Sequence, residues 1–326
     1  MNLLKLSNLS RFAVLGAFLT TSFAFGSANA ETKFPSGPVK VVVPFAAGGT
    51  TDAIARLVAE ELQTRWGTAV VVENKPGAGG VIATQSVSRA KPDGREILFN
   101  DIGIALNEVT MSNLPYKLEE DLKPVVTVGE WPLAFLSGSA TGIKTMKELI
   151  ERSKTESLAL GTFGPASSPH LAGELLKSLT GIDLKIVHYK GVSPVIQAMA
   201  SGEVQLGVFG AGAAAAEMAK GTMNLLALDY PSPLVPNVPT FKEAGVDGLR
   251  AIAWWGVFVP SETPDEIVKE INLAINESLK SERVSSYLDK NGYTSVGGEP
   301  AGLNQRVKDT VDLWGPIVKN AGIKAN

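Results

Sequence analysis

No nucleophile in this chain is paired with a base at a spacing that signals catalysis. There are two histidines, His170 and His188, and no cysteine. Neither H-E-x-x-H nor G-x-S-x-G occurs, and without cysteine there is no thiol nucleophile or thiolate metal site. The acidic groups Glu60-Glu61 and Glu119-Glu120-Asp121 read as solvated faces rather than acid/base pairs. Gly77-Ala78-Gly79 begins a dinucleotide fingerprint but fails at Ile82, and there is no Gly-Lys-Ser/Thr phosphate loop. What remains is two glycine-rich turns with hydroxyls. One is Phe45-Ala46-Ala47-Gly48-Gly49, followed by Thr50, Thr51 and Asp52; the other runs from Gly161 through Thr162, Gly164, Ser167 and Ser168 to Pro169. Small residues let a ligand approach the backbone, whose N–H groups, with the hydroxyls, can donate to an anion. No arginine falls in either turn, so carboxylate recognition would rest on N–H groups, hydroxyls and bridging water.

Each turn leaves a strand and enters a helix. Val39–Val43 is a β-branched run suited to a strand buried on both faces, and Pro44 ends it. Thr50 or Thr51 is the expected N-cap of a helix with Ile54, Leu57, Val58 and Leu62 on one face. Strands follow at Ala69–Glu73 and Glu96–Phe99, with a helix over Val81–Ala90 between them. The second of these strands leads into Asn100-Asp101-Ile102-Gly103. Asp101 and Gly103 therefore share a sheet edge with the first turn, where ligands of open α/β sheets bind.

The rhythm changes from Pro124. Val125–Leu136 reads as a crossing segment and Thr145 opens a capping box. A second βα series places strands at Leu158–Phe163, Leu184–Tyr189, Val204–Phe209 and Asn224–Asp229, and helices from Pro169, Pro194 and about Ala213. Ser168 is the expected cap before Pro169, which leaves Thr162 and Ser167 as spare hydroxyls. His170 fits a packing or capping role, because a cation there would oppose the helix dipole. His188 reads as a packed strand residue. Trp254–Val259 is the return crossing, and Trp255 serves either as a ligand wall or as hinge packing. Thr263-Pro264-Asp265-Glu266 reads as a further capping box, with Ile267, Ile271, Ala274, Ile275 and Leu279 facing inward behind it. Pro300–Ile323 should be a helix packed back on the first domain. The expectation is two α/β lobes, residues 31–130 with 254–326 and residues 131–253. Two crossings join them, and the cleft between them closes on a ligand.

PFAAGGTTDAIAR at Pro44–Arg56 and VVVENKPGAGG at Val70–Gly80 resemble the Bug-type solute receptors of tripartite tricarboxylate transporters. So do KPDGREILF, LPYKLEEDLKPV, HLAGELLKSLTGI, YKGVSPVIQAMASGEV, VPNVPTFKEAG and WWGVFVPSETP, which follow in order to Pro264. The resemblance covers essentially the whole chain after residue 30. It implies a type II-like periplasmic binding protein, each lobe a mostly parallel sheet flanked by helices. It also implies a binding role, not an enzyme: a small organic carboxylate is carried to integral membrane transporter components. The expected ligand-binding residues are Phe45, Ala47, Gly48, Gly49, Thr51, Asp52, Asp101, Gly103, Thr162, Gly164, Ser167, Ser168, Gly210 and Trp255. No cofactor, metal or nucleic acid is expected, and the expected state is a monomer. In this family an Asp often follows the aromatic residue that ends the last-named lobe's strand, whereas here Gly210 follows Phe209. Either Gly210 only tightens a turn, or it leaves room and free N–H groups for a carboxylate without an essential amine. A dicarboxylate, or an aromatic acid near Trp255, would fit the second case, with Asp101 and Asp229 as fallback carboxylates. An orphan sensor for a two-component system and, further off, an exported α/β enzyme are the other readings.

Residues 1–30 carry Lys5 and Arg11, an apolar core from about Phe12 to Phe25, and Ala28-Asn29-Ala30. They read as a cleavable signal peptide for export to the periplasm, cut before Glu31. The 326-residue chain would then keep 296 residues, enough for two ordinary domains, and its net charge would move from −3 to −5. A mildly acidic body disfavours nucleic acid and anionic membrane surfaces as partners.

Overall fold

In a computed structural model, residues 34–324 are described; the expected signal peptide and its cleavage point lie outside them. β1 (Val39–Val43) is a central strand flanked in parallel by β2 (Val70–Asn74) and β3 (Glu96–Asp101). Its valines are all buried, as an uninterrupted β-branched run requires. α1 (Thr50–Trp66) and α2 (Val81–Ser88) connect these strands, and α3 (Gly103–Thr110) leaves the end of β3. The short α4 (Leu118–Asp121) then leads into β4 (Leu122–Gly138), a strand of 17 residues.

β4 explains how the chain changes sheets. Its stretch from Leu122 to Pro132 pairs antiparallel with β9 (Ile252–Pro260) in the first sheet. From Leu133 onward it pairs with β7 (Leu206–Gly210) and β8 (Met223–Leu228) in the second. β9 in turn pairs with β3. The two expected crossings are thus neighbouring strands of one continuous ten-stranded sheet. The second sheet also contains β5 (Leu158–Thr162) and β6 (Leu184–His188), both parallel. α5 (Met146–Arg152), α6 (Ser168–Thr180), α7 (Val192–Ser201) and α8 (Ala211–Ala219) belong to this half of the chain. The Thr145 capping box is present in full, with Glu148 as its reciprocal partner.

The C-terminal elements return to the first sheet. α9 (Asp265–Ser278) buries Ala274 together with Val268, Ile271 and Ile275, the last three worth about 1.5–3 kcal/mol each. α10 (Glu282–Lys290) and β10 (Thr294–Gly297) follow, and β10 pairs with β4. α11 (Pro300–Ala321) packs on α3 and β4 and also reaches α6, so it touches helices of both sheets rather than the first domain alone. α3, α10 and β10 are short elements that periodicity did not separate from their neighbours.

Several helix starts differ from expectation by one or two residues. Gly49, not a threonine, is the N-cap of α1. Pro264 is the N-cap of α9, and the Thr263 hydroxyl is buried without a hydrogen-bond partner rather than closing a capping box. α7 begins at Val192, so Pro194 stands third in the helix, still inside the first turn where a missing N–H costs nothing. Among the described residues no helix is long and apolar enough to cross a membrane.

Candidate ligand-binding site

The carboxyl ends of parallel strands from both sheets converge on one cavity of about 920 Å³. β1 delivers Phe45 and Gly49, β3 Asp101, β5 Phe163 and β7 Gly210. First turns of α1, α3, α6, α7 and α8 line the wall through Thr51, Gly103, Ser168, Val192 and Gly212. No side chain caps α1, α6, α7 or α8. Their first N–H groups and the positive ends of four helix dipoles therefore stay available, which favours an anion.

On the first-sheet side the Phe45–Gly49 turn is held from behind. The Gly48 N–H donates to Asp52 Oδ2 at 2.9 Å. Asn74 Nδ2 donates to Asp52 Oδ1 at 2.9 Å and to the Phe45 carbonyl at 3.0 Å. Arg56 completes the clamp with its Nε on Asp52 Oδ2 at 3.0 Å. Burial alone would raise the Asp52 carboxyl. The bonds from Arg56, Gly48 and Asn74 outweigh it and hold the group below the usual range. Gly48 sits at φ +85°, a conformation that a side chain would strain. Trp255 is fully buried against this turn, and its Nε1 donates to Thr51 Oγ1 at 3.0 Å. Trp131 stacks on Trp255 at 3.8 Å, and Tyr293 meets both rings edge-on.

Asp101 is the only carboxylate on the wall among the described residues. Its Oδ1 accepts from the Gly103 N–H at 2.8 Å, so it occupies the N-terminus of α3 itself. Burial pushes it up to about 6, against the pull of that backbone bond.

On the second-sheet side the hydroxyls expected to be free are engaged. Thr162 is buried and its Oγ1 lies 2.7 Å from His188 Nδ1. Ser167, not Ser168, is the N-cap of α6, and its hydroxyl donates to the Gly164 carbonyl at 2.7 Å. The Ala166 N–H donates to His170 Nδ1 at 3.0 Å. A neutral ring is needed there. Burial, then the neighbouring His188, lowers His170 to about 4. His188 is solvent-exposed at the end of the edge strand β6, although its ring meets that of His170 in α6 edge-on at 4.8 Å.

Gly210 caps α8 in an extended conformation that any residue can adopt. A Cβ there would come within 3.0 Å of the Trp131 ring. Trp131 therefore closes one side of Gly210, which on its other side still lines the cavity at the uncapped start of α8.

Residues 54–323 match the family described as the tripartite tricarboxylate transporter family receptor, TctC. This chain belongs to that family. It is 32% identical to Protein BugT of Bordetella pertussis, over 97% of this chain and 99% of the relative. R. palustris Rpa4515, solved with adipate, is 30% identical with a TM-score of 0.78, covering 89% of this chain and 99% of that one. MatC of Rhodopseudomonas palustris, solved with bound malate, is 30% identical with a TM-score of 0.75, covering 87% and 100%. The fold of this TctC-family chain is the α/β periplasmic-binding-protein fold of such receptors. The family consists of solute-binding receptors, not enzymes.

Of the residues expected to bind ligand in this receptor, Phe45, Gly49, Thr51, Asp101, Gly103, Ser167, Ser168, Gly210 and Trp255 line the cavity. Ala47, Gly48, Asp52, Thr162 and Gly164 do not; they shape the turns behind it. Asp229 lies elsewhere, accepting from the Ala251 N–H and facing Arg250. Sequence reasoning missed Trp131, Phe163, Asn107, Tyr293 and Lys324 as wall residues. Trp131 carries a signal, an aromatic before Pro132 within the segment expected to cross between lobes.

Proposed function

We propose that this receptor captures a small organic carboxylate in the cavity between the two sheets and delivers it to the membrane components of a tripartite tricarboxylate-type transporter. The observation that carries the reading is the convergence of four uncapped helix N-termini on a cavity with almost no charged side chain. Such a wall supplies donors and positive potential without a fixed guanidinium, so it suits one carboxylate bound through N–H groups and water. The adipate and malate held by the two relatives are acids of this kind. In this reading residues 31–130 with 254–326 form one lobe and residues 131–253 the other. β4 and β9 form the hinge about which they close. Residues 1–30 direct export to the periplasm and are removed before Glu31.

A thermal-shift screen with mono-, di- and tricarboxylates against matched amines and sugars tests the proposal. Carboxylates should raise the melting temperature by mass action, and scattering with the best of them should show a smaller radius. Stabilisation only by uncharged ligands would overturn it.

A further inference from the structure

Lys324 carries the only cationic side chain on the cavity wall among the described residues. It arrives from the end of α11 rather than from any strand-to-helix turn. The backbone that delivers it is fixed. Gly322 takes a left-handed φ of 64°. Its N–H donates to the Lys319 carbonyl, and the Ile323 N–H donates to the Val318 carbonyl at 3.0 Å. These are the paired bonds of a Schellman end, and its usual apolar contact is present, since Val318 and Ile323 are buried in one cluster. A chain pinned by a buried isoleucine one residue earlier has little freedom to carry Lys324 away from the cavity.

Its place within the cavity follows from how α11 lies on α3. The Trp254 indole donates to Thr310 in α11, and the Trp254 carbonyl accepts from Ile102 at the start of α3. Further along, Gly315 lies against Val109 near the end of α3. The helices therefore run in the same direction, and Lys324 lies beyond the far end of α3. Asp101 stands at the near end, at least the length of α3 away, about 12 Å for eight residues. The one acidic and the one basic side chain of the wall mark opposite ends. A second acidic group on a ligand is repelled at the first end and attracted at the other.

We infer that Lys324 is a specificity-determining residue that reads the distal carboxylate of a dicarboxylate whose other carboxylate lies on the helix first turns. This rests on the carboxylate reading above and names the substrate class within it. An ammonium on a flexible four-carbon stem tolerates diacids of more than one length, where a guanidinium fork would demand one geometry.

Titration calorimetry with adipate against hexanoate, and succinate against butyrate, isolates the distal carboxylate at constant chain length. Wild-type protein should prefer the diacid of the pair. Lys324→Gln should weaken the diacid about five- to tenfold and leave the monoacid unchanged, while Lys324→Arg keeps most of the preference. Lys324 is exposed and terminal to the last helix, so these variants should melt with the wild type. An undiminished diacid preference in Lys324→Gln, or equal losses for both members of a pair, overturns the inference. So does wild-type binding of monoacids alone, which leaves the carboxylate reading standing. Failure of wild-type protein to bind any of the acids overturns that reading and this inference with it.

Discussion

Three glycines at helix starts provide a graded test of how tightly the cavity floor is built. Gly302, in the first turn of α11, has open space where a Cβ would stand. Gly302→Ala should therefore show the bare helix gain of alanine over glycine, about 0.5–1 kcal/mol. Gly212 lies in the first turn of α8, on the cavity wall, and would enjoy the same intrinsic gain. Its Cβ, however, would stand 2.6 Å from the Asn291 carbonyl oxygen. Ordinary contact begins near 3.4 Å, so two backbones must part by roughly 0.8 Å, and overpacking of this kind costs about 1–3 kcal/mol. The net expectation for Gly212→Ala is a loss of about 1 kcal/mol, some 2 kcal/mol below the Gly302 variant. Gly210→Ala should fall between them. Its obstruction is the Trp131 ring at 3.0 Å, a half-buried side chain that can tilt, although Trp255 backs it at 3.8 Å. Urea unfolding at fixed pH, with equal m values across the set, reads all three. A Gly212→Ala protein stabilised as much as Gly302→Ala would refute the argument. It would mean that α8 stands clear of the α10–β10 connection.

Two titrating groups give further expectations of opposite sign. The raised Asp101 carboxyl destabilises the folded state above about pH 6, and that penalty is relieved as pH falls toward its unfolded value of 3.8. Asp101→Asn keeps an acceptor for Gly103, so it should gain about 1–2 kcal/mol at pH 7 after discounting for partial exposure, with little gain at pH 4.5; equal gains at both pH values would contradict the assignment. His170 runs the other way. Its folded value near 4 lies below the unfolded 6.5, so stability present at pH 7 is lost as pH falls from 6.5 toward 4. His170→Gln should flatten the unfolding free energy over that window by up to ~3 kcal/mol relative to wild type, and an unchanged slope would count against a neutral, hydrogen-bonded ring.

What could be read from the sequence follows from the range of the forces involved. The alternation of β-branched runs, glycine turns and apolar stripes is local, so β1, α1 and the second βα series were legible to within a few residues. Caps were less so. Whether Ser167 or Ser168 begins α6 depends on the backbone angles of single residues, and the Ser167 hydroxyl found the Gly164 carbonyl instead of the helix. Thr162 looks spare in the sequence because its partner, His188, comes from a neighbouring strand 26 residues away. Lys324 and Tyr293 have no local signal at all, since each reaches the wall only after a C-terminal element docks on β4.

Gly210 shows the remaining difficulty. Its residue type is visible in the sequence, but whether the missing side chain tightens a turn or leaves space for a ligand group is not. Trp131 stands 3.0 Å from where a Cβ would be, brought there as β4 switches from β9 to β7 and β8 around Pro132 and Leu133. A glycine reports that something comes close without reporting what. Here the visitor is an indole of β4, stacked on Trp255 and through it hydrogen-bonded to Thr51 at the first turn of α1. The same row of contacts therefore joins α8 of the second sheet to α1 of the first. A displacement at either helix N-terminus bears on both, because displacing one ring displaces the next.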